Sequence, residues 1–193
     1  MALINVAAKE IHCKIVYYGP GLCGKTTNLK YIHSAVPGGG KGDLISIATE
    51  TERTLFFDFL PLDLGTVHGF STRFHLYTVP GQVLYERTRV AVLNAADGVV
   101  FVADSQRSKL QEDVQSLQEL ARNITLQGKK FLEFPLVMQY NKRDLAPDYI
   151  LPVEIMDRYL NTIHVPRFEA AASKGFGVFD TLRAISKLVI SKL

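Results

Sequence analysis

Residues 11–33 read IHCKIVYYGPGLCGKTTNLKYIH. Ile11 to Tyr18 is rich in β-branched and aromatic residues, Gly19-Pro20-Gly21 is a turn, and Lys25 to His33 has helical character. The turn matches GxxxxGK[ST] through Gly19, Gly24, Lys25 and Thr26. Between a strand and a helix this spacing specifies a phosphate cradle. Glycines let backbone N–H groups approach an anion, and the helix N-terminus adds partial positive charge. In this pattern Gly19, Gly21, Leu22, Cys23 and Gly24 wrap the phosphates, and Lys25 reaches the β- and γ-phosphates. The Thr26 hydroxyl ligates Mg²⁺, and Thr27 contacts the α-phosphate.

Outward from this loop, strand-like and helix-like segments alternate. LFFDFL (55–60) and FSTRFHLYTV (70–79) are strands joined by a loop, PLDLGTVHG, which predicts an antiparallel pair. DGVVFVAD (97–104) carries a continuous apolar run, as expected of a strand covered on both faces, and FPLVMQY (134–140) reads as another buried strand. Val114, Leu117, Leu120, Ala121 and Ile124 recur at helical spacing. A helix is expected from Pro152, a short strand over 167–173, and a closing helix through Val178, Leu182, Ile185 and Val189. The pattern predicts an α/β fold over residues 1–193 as one domain. Its sheet is six-stranded and mostly parallel, with one antiparallel strand and helices on both faces. Ligands of such sheets bind at the carboxyl ends of the strands, where the phosphate loop falls.

Composition excludes several classes. The 193 residues are 47% hydrophobic and 21% charged, a globular balance. Lys and Arg (22) exceed Asp and Glu (19) by only three and are scattered, so no nucleic-acid footprint stands out. Cys13 and Cys23 read as reduced thiols of a cytoplasmic protein, and the five histidines lack metal-ligand spacing. No stretch approaches the roughly 18 apolar residues of a membrane span.

Asn141-Lys142-Arg143-Asp144 follows the strand 134–140. An Asp carboxylate accepts two hydrogen bonds from guanine N1–H and N2–H₂, a donor pair adenine lacks. Asp144 therefore selects guanine, Asn141 bridges the base to the phosphate loop, and the Lys142 stem covers the ring. Small residues at 170–172 suit a backbone N–H meeting guanine O6, placed on Ala172.

The set GPGLCGKTT, TVPGQ, NKRD and EAAASK, in this order, resembles the small Ras-like GTPases over almost the whole chain. TERTLFFDFLPLDLG and TRFHLYTVPGQ narrow the resemblance to the bacterial MglA family of gliding-motility and cell-polarity systems. The resemblance implies a Ras-like P-loop G domain that cycles between GTP and GDP with Mg²⁺. It further implies a roadblock-fold, MglB-like activating protein and polar effectors. The place implied is the cytoplasm, with recruitment to a cell pole and at most peripheral membrane contact.

One departure matters. Where most Ras-like proteins carry Asp in DxxG, this chain has Thr78-Val79-Pro80-Gly81. Thr78 brings no negative charge to the Mg²⁺ site. Three readings follow: a dead enzyme, compensation by another acid such as Asp58, or water-mediated support from the Thr78 hydroxyl. Gln82, placed to orient water beside Gly81, favours a live but slow enzyme. In the Ras-like scheme Thr54 caps Mg²⁺ and the γ-phosphate, with Thr49 and Thr51 as runners-up, and Arg53 serves as an arginine finger in cis. Catalysis is thus expected from Gln82, Arg53, Lys25 and Thr54. Apolar residues on both faces of 55–60 specify register weakly, so this strand is expected to slide when GTP binds. The alternative is a nucleotide-binding scaffold with negligible hydrolysis; a P-loop ATPase or kinase is disfavoured by Asn141 and Asp144.

Overall fold

In the computed structural model the described residues are 2–47, 57–81 and 85–193. The central strands are β2 (Glu10–Tyr18), β6 (Gly98–Asp104) and β7 (Leu136–Asn141), and all of β6 and β7 is buried. Successive side chains of β6 alternate between two cores, as the period of a strand requires. Val100 and Val102 join the core beneath α1 (Lys25–Ala35) and α5 (Val178–Ile190). Val99, Phe101 and Ala103 join the opposite core, with Leu120 and Ile124 of α3 (Leu110–Leu126) and Met156 of α4 (Val153–Leu160). Helices on both faces explain why these strands carry no polar alternation.

The sheet order is β3-β4-β5-β2-β6-β7-β8, with β3 (Ile45–Ile47), β4 (Phe57–Val67), β5 (Phe70–Thr78) and β8 (Arg167–Glu169) completing it. β5, β2, β6, β7 and β8 run parallel, and β4 returns antiparallel to β5. The expected α/β architecture is therefore present, but among the described residues the sheet has eight strands rather than six. The additions are β1 (Leu3–Asn5) against β2 and β3 against β4, both antiparallel and only three residues long. Segments that short carry too little alternation to be read from sequence. The helix α2 (Glu86–Leu93) is also additional, and its buried Arg89 breaks the apolar pattern.

Two boundaries differ from expectation. The last strand ends at Glu169, and Ala170–Ala172 turn into the following loop. The stretch 61–67, read as loop, is strand; β4 absorbs its extra residues through a bulge between Asp63 and Thr66. Only His68 and Gly69 remain as the turn, with φ of 49° and 82°. Positive φ at both central residues is the two-residue turn that matches strand twist.

A buried amide pair fastens the layers. Asn28 on α1 donates to Gln139 of β7 at 2.8 Å and accepts from it at 3.0 Å, while Gln139 also donates to Thr181 of α5 at 3.1 Å. The same Asn28 donates to the Gly24 carbonyl at 2.9 Å. The phosphate-loop helix is thereby locked to the strand that leads to NKRD.

His68 occupies a left-handed conformation that Asn tolerates better ahead of glycine. His68→Asn is expected to stabilise the fold by about 0.5 kcal/mol. Thermal melts of the two proteins check it; an unchanged or lower midpoint contradicts the turn assignment.

Candidate functional site

The carboxyl ends of β2 and β5, the amino end of the antiparallel β4 and the start of α1 enclose a cleft of about 830 Å³. Its floor is the phosphate loop. Gly24 lies at φ 106° as the N-cap of α1, and a Cβ there would stand 2.1 Å from Asn141 Nδ2. No side chain caps this helix, so its first N–H groups lack an internal acceptor. Those are the donors a phosphate takes. Lys25 is buried, its ammonium folded onto the Gly19 and Pro20 carbonyls at 2.9 and 2.5 Å, with Cys23 Sγ at 3.6 Å. Gly21, Leu22, Thr26 and Thr27 line the same cleft. Burial raises the Cys23 thiol well above its ordinary range, so it behaves as a packing residue.

The opposite wall centres on Asp58, 7% exposed. Antiparallel pairing sets Ser46 of β3 against Asp58 of β4, and the β4–β5 register carries the row on to Thr78. Thr26 and Thr78 donate their hydroxyls to Asp58 Oδ2 at 2.6 and 2.9 Å, and Ser46 donates to Oδ1 at 2.6 Å. Thr78 Oγ1 in turn accepts the Asp58 N–H at 2.8 Å. The charge missing from position 78 thus sits directly beside it, on the neighbouring strand. No cation pairs with Asp58 among the described residues, although burying a carboxylate unpaired is costly. Ser46 was not foreseen, because its role depends on a cross-strand pairing no local pattern announces.

Val79, Pro80 and Gly81 complete this wall. Gly81 lies against the phosphate loop so closely that a Cβ would fall 2.3 Å from Gly21 N. A Cβ added to Gly21 meets Gly81 only at 3.9 Å. The intolerance to side chains is therefore on the Gly81 side. Gln82, Arg53 and Thr54, with Thr49 and Thr51, lie outside the described residues.

At the end of β7, Asn141 links two loops through its side-chain amide. Its Nδ2 donates to the Cys23 carbonyl at 2.8 Å, and its Oδ1 accepts the Ala172 N–H at 2.9 Å. The Ala172 amide is thus committed to Asn141. Lys142 adopts φ 68° and pairs with the buried Asp104 carboxylate at 2.5 Å. Asp144 stands 3.5 Å from Lys174. Arg143 anchors the loop through Glu169 at 2.9 Å and the Leu151 carbonyl at 2.7 Å. Sequence reasoning missed Asp104, whose partner lies 38 residues away.

Behind this pair, Asp113 of α3 accepts the Asp104 N–H at 3.0 Å, and its Oδ2 is buried without a partner. Burial, with the Asp104 charge adding to it, pushes the Asp113 carboxyl up to about 8 from 3.8. It is therefore a neutral acid at pH 7. A folded-state value raised above the unfolded one gives stability that is complete below 3.8 and declines toward 8. Asp113→Asn keeps the acceptor oxygen and cannot ionise. The variant should match the parent near pH 4 and gain on it by up to ~1.4 kcal/mol per pH unit above that. Denaturant melts between pH 4 and 8 check this; a pH-independent difference contradicts it.

No family model matches the chain. It is 55% identical over 193 residues, all of this chain and 98% of the relative, to the mutual gliding-motility protein MglA of Myxococcus xanthus (strain DK1622). At that identity and coverage, with a mostly parallel sheet and the NKRD turn joined to the phosphate loop through Asn141 and Cys23, the chain belongs to the MglA family and its fold is a Ras-like G domain.

Proposed function

We propose that this protein is a Mg²⁺-dependent guanine-nucleotide switch that binds GTP and GDP and hydrolyses GTP slowly by itself. The observation that carries the reading is Asn141, whose one amide group ties the phosphate loop at Cys23 to the base loop at Ala172. A motif for phosphate and a motif for guanine are thereby held at one fixed separation. Gly19, Gly21, Leu22, Cys23, Gly24, Lys25, Thr26 and Thr27 surround the phosphates. Asp144 reads guanine N1–H and N2–H₂, and Lys142, steadied by Asp104, covers the ring. With the Ala172 amide engaged by Asn141, the next amide, Ser173, is the donor we assign to O6.

The metal site fits Mg²⁺ by its donors. Thr26, Thr78, Ser46 and Asp58 offer only oxygen, the hard ligand set this ion prefers. No cluster of three or more His, Cys, Asp or Glu able to hold a metal occurs among the described residues. Such a site leaves positions for phosphate and water, as Mg²⁺ sites of nucleotide enzymes do. Thr26 and Thr54 would hold the ion, with Asp58 as the anionic oxygen beside them. When bound, Mg²⁺ offsets charge on the β- and γ-phosphates. For hydrolysis Gln82 orients the attacking water, Gly81 offers its N–H to the γ-phosphate, and Arg53 and Lys25 balance the charge that develops.

The alternative, a scaffold with negligible hydrolysis, rests on the uncharged Thr78; the Asp58 carboxylate beside Thr78 supports the hydrolysing reading. The relative's name points to gliding motility. We assign this chain a corresponding role, gating polar effectors and answering to a roadblock-fold activator. We place this action in the cytoplasm, with recruitment to a cell pole; no helix among the described residues is long and apolar enough to cross a membrane.

Single-turnover phosphate release, with and without a roadblock-fold partner, tests the reading. Gln82→Leu and Arg53→Ala should each lower stimulated turnover by about 10³-fold and leave GDP binding intact. Normal stimulated hydrolysis in both variants contradicts the assigned roles. Asp144→Asn should move selectivity from guanine to xanthine nucleotides, and unchanged guanine preference refutes the base assignment.

A further inference from the structure

The short helix α2 carries an arginine where a surface helix of its kind would bury an apolar residue. Arg89 is only 3% exposed. Removing a guanidinium from water costs several kcal/mol unless strong partners meet it. Its Nε donates to Glu119 Oε1 of α3 at 2.6 Å, and its Nη1 donates to the Pro80 carbonyl at 3.3 Å. Glu119 Oε1 also accepts the Tyr18 hydroxyl at 3.0 Å. Tyr18 is the last residue of β2, immediately before Gly19. A continuous polar chain therefore runs from the root of the phosphate loop through Tyr18, Glu119 and Arg89 to the backbone of Pro80.

Pro80 is the residue on which this polar chain ends, and its neighbour Gly81 packs so closely on the phosphate loop that a Cβ there would fall 2.3 Å from Gly21 N. Arg89 grips the peptide carbonyl one residue before the Gly81 amide. Its fork geometry lets one group hold Glu119 and Pro80 at once, which a lysine ammonium on a single stem does poorly. The pair lines an open cleft of about 440 Å³ bounded by α3, Gly19, Pro20 and Gly81, so it sits at the junction of the two loops.

We infer that Arg89 is a positioning residue that fixes the Pro80–Gly81 peptide, and so the Gly81 amide, for the γ-phosphate, using Glu119 and Tyr18 as its fixed anchor. The inference rests on the GTPase reading above. It makes Arg89 matter for a nucleotide that has a γ-phosphate and indifferent to one that lacks it.

The test uses the full chain with Arg89→Lys and Arg89→Met, the first keeping the charge and the second the apolar stem. Three quantities are measured: single-turnover hydrolysis of preloaded GTP, affinity for GDP, and affinity for a non-hydrolysable GTP analogue. The expected result for Arg89→Lys is hydrolysis slowed about tenfold or more and GDP affinity within about threefold of the parent. The ratio of analogue to GDP affinity should fall with the rate. Arg89→Met should show the same split more strongly where it folds. A purely structural arginine would lower both affinities and the rate by one common factor, and that outcome overturns the inference. So does parental hydrolysis in Arg89→Lys. Absence of GTP hydrolysis in the parent itself overturns the GTPase reading instead, and the affinity ratio then decides on Arg89 alone: an unchanged ratio refutes it.

Discussion

A buried carboxylate that receives three hydroxyl groups holds one wall of this site in place. Asp58 draws Thr26 from α1, Ser46 from β3 and Thr78 from β5 onto two oxygens. Each of those hydrogen bonds to an ionised acceptor is stronger than a neutral one. Together they fix where the phosphate-loop helix meets the antiparallel hairpin. The arrangement is possible only because β4 runs antiparallel to β5 in a register that sets Asp58 beside Thr78. The period of two along β4 makes register and site inseparable. A slip of one residue would turn the carboxylate to the other face, and a slip of two would carry it roughly 7 Å along the strand.

The second wall depends on side-chain amides. Asn141 spans from Cys23 to Ala172, and the Asn28–Gln139–Thr181 network lies beneath it, joining α1, β7 and α5. Buried amide networks are stabilising only when their groups are satisfied, and these are paired on both sides. The two motifs that define the ligand are thus placed by polar contacts in the core as well as by the strands that carry them. Lys142, in a left-handed backbone conformation, is held by Asp104, so the strain at its φ is offset by a buried ion pair.

The parts legible in the sequence were those written locally. The phosphate loop, the apolar runs of β6 and β7 and the NKRD turn each declare themselves within ten residues, and the fold class follows from their alternation. The absence of charge at Thr78 was equally plain, and it directed attention to Asp58 as one of three readings. Geometry then distinguished that carboxylate by placing it 2.9 Å from Thr78. What was not legible depends on long-range pairing. Ser46 gains its role only when β3 lies against β4, Asp104 only when β6 lies beside β7, and Arg89 only when α2 packs on α3. The stretch 61–67 reads as loop because Pro61 and Gly65 look like breakers, whereas Pro61 pairs in register with His75 and a bulge between Asp63 and Thr66 accommodates Gly65.

Moving the carboxylate is the most direct test of whether Asp58 supplies the anionic oxygen that Thr78 lacks. GDP and GTP-analogue affinities would be titrated against Mg²⁺ for the parent, Asp58→Asn, and the exchange Asp58→Thr with Thr78→Asp. Asp58→Asn should lose about tenfold or more of the Mg²⁺-dependent tightening, and the exchange should restore a large part of it. Parental Mg²⁺ dependence in Asp58→Asn would contradict the role given to this residue.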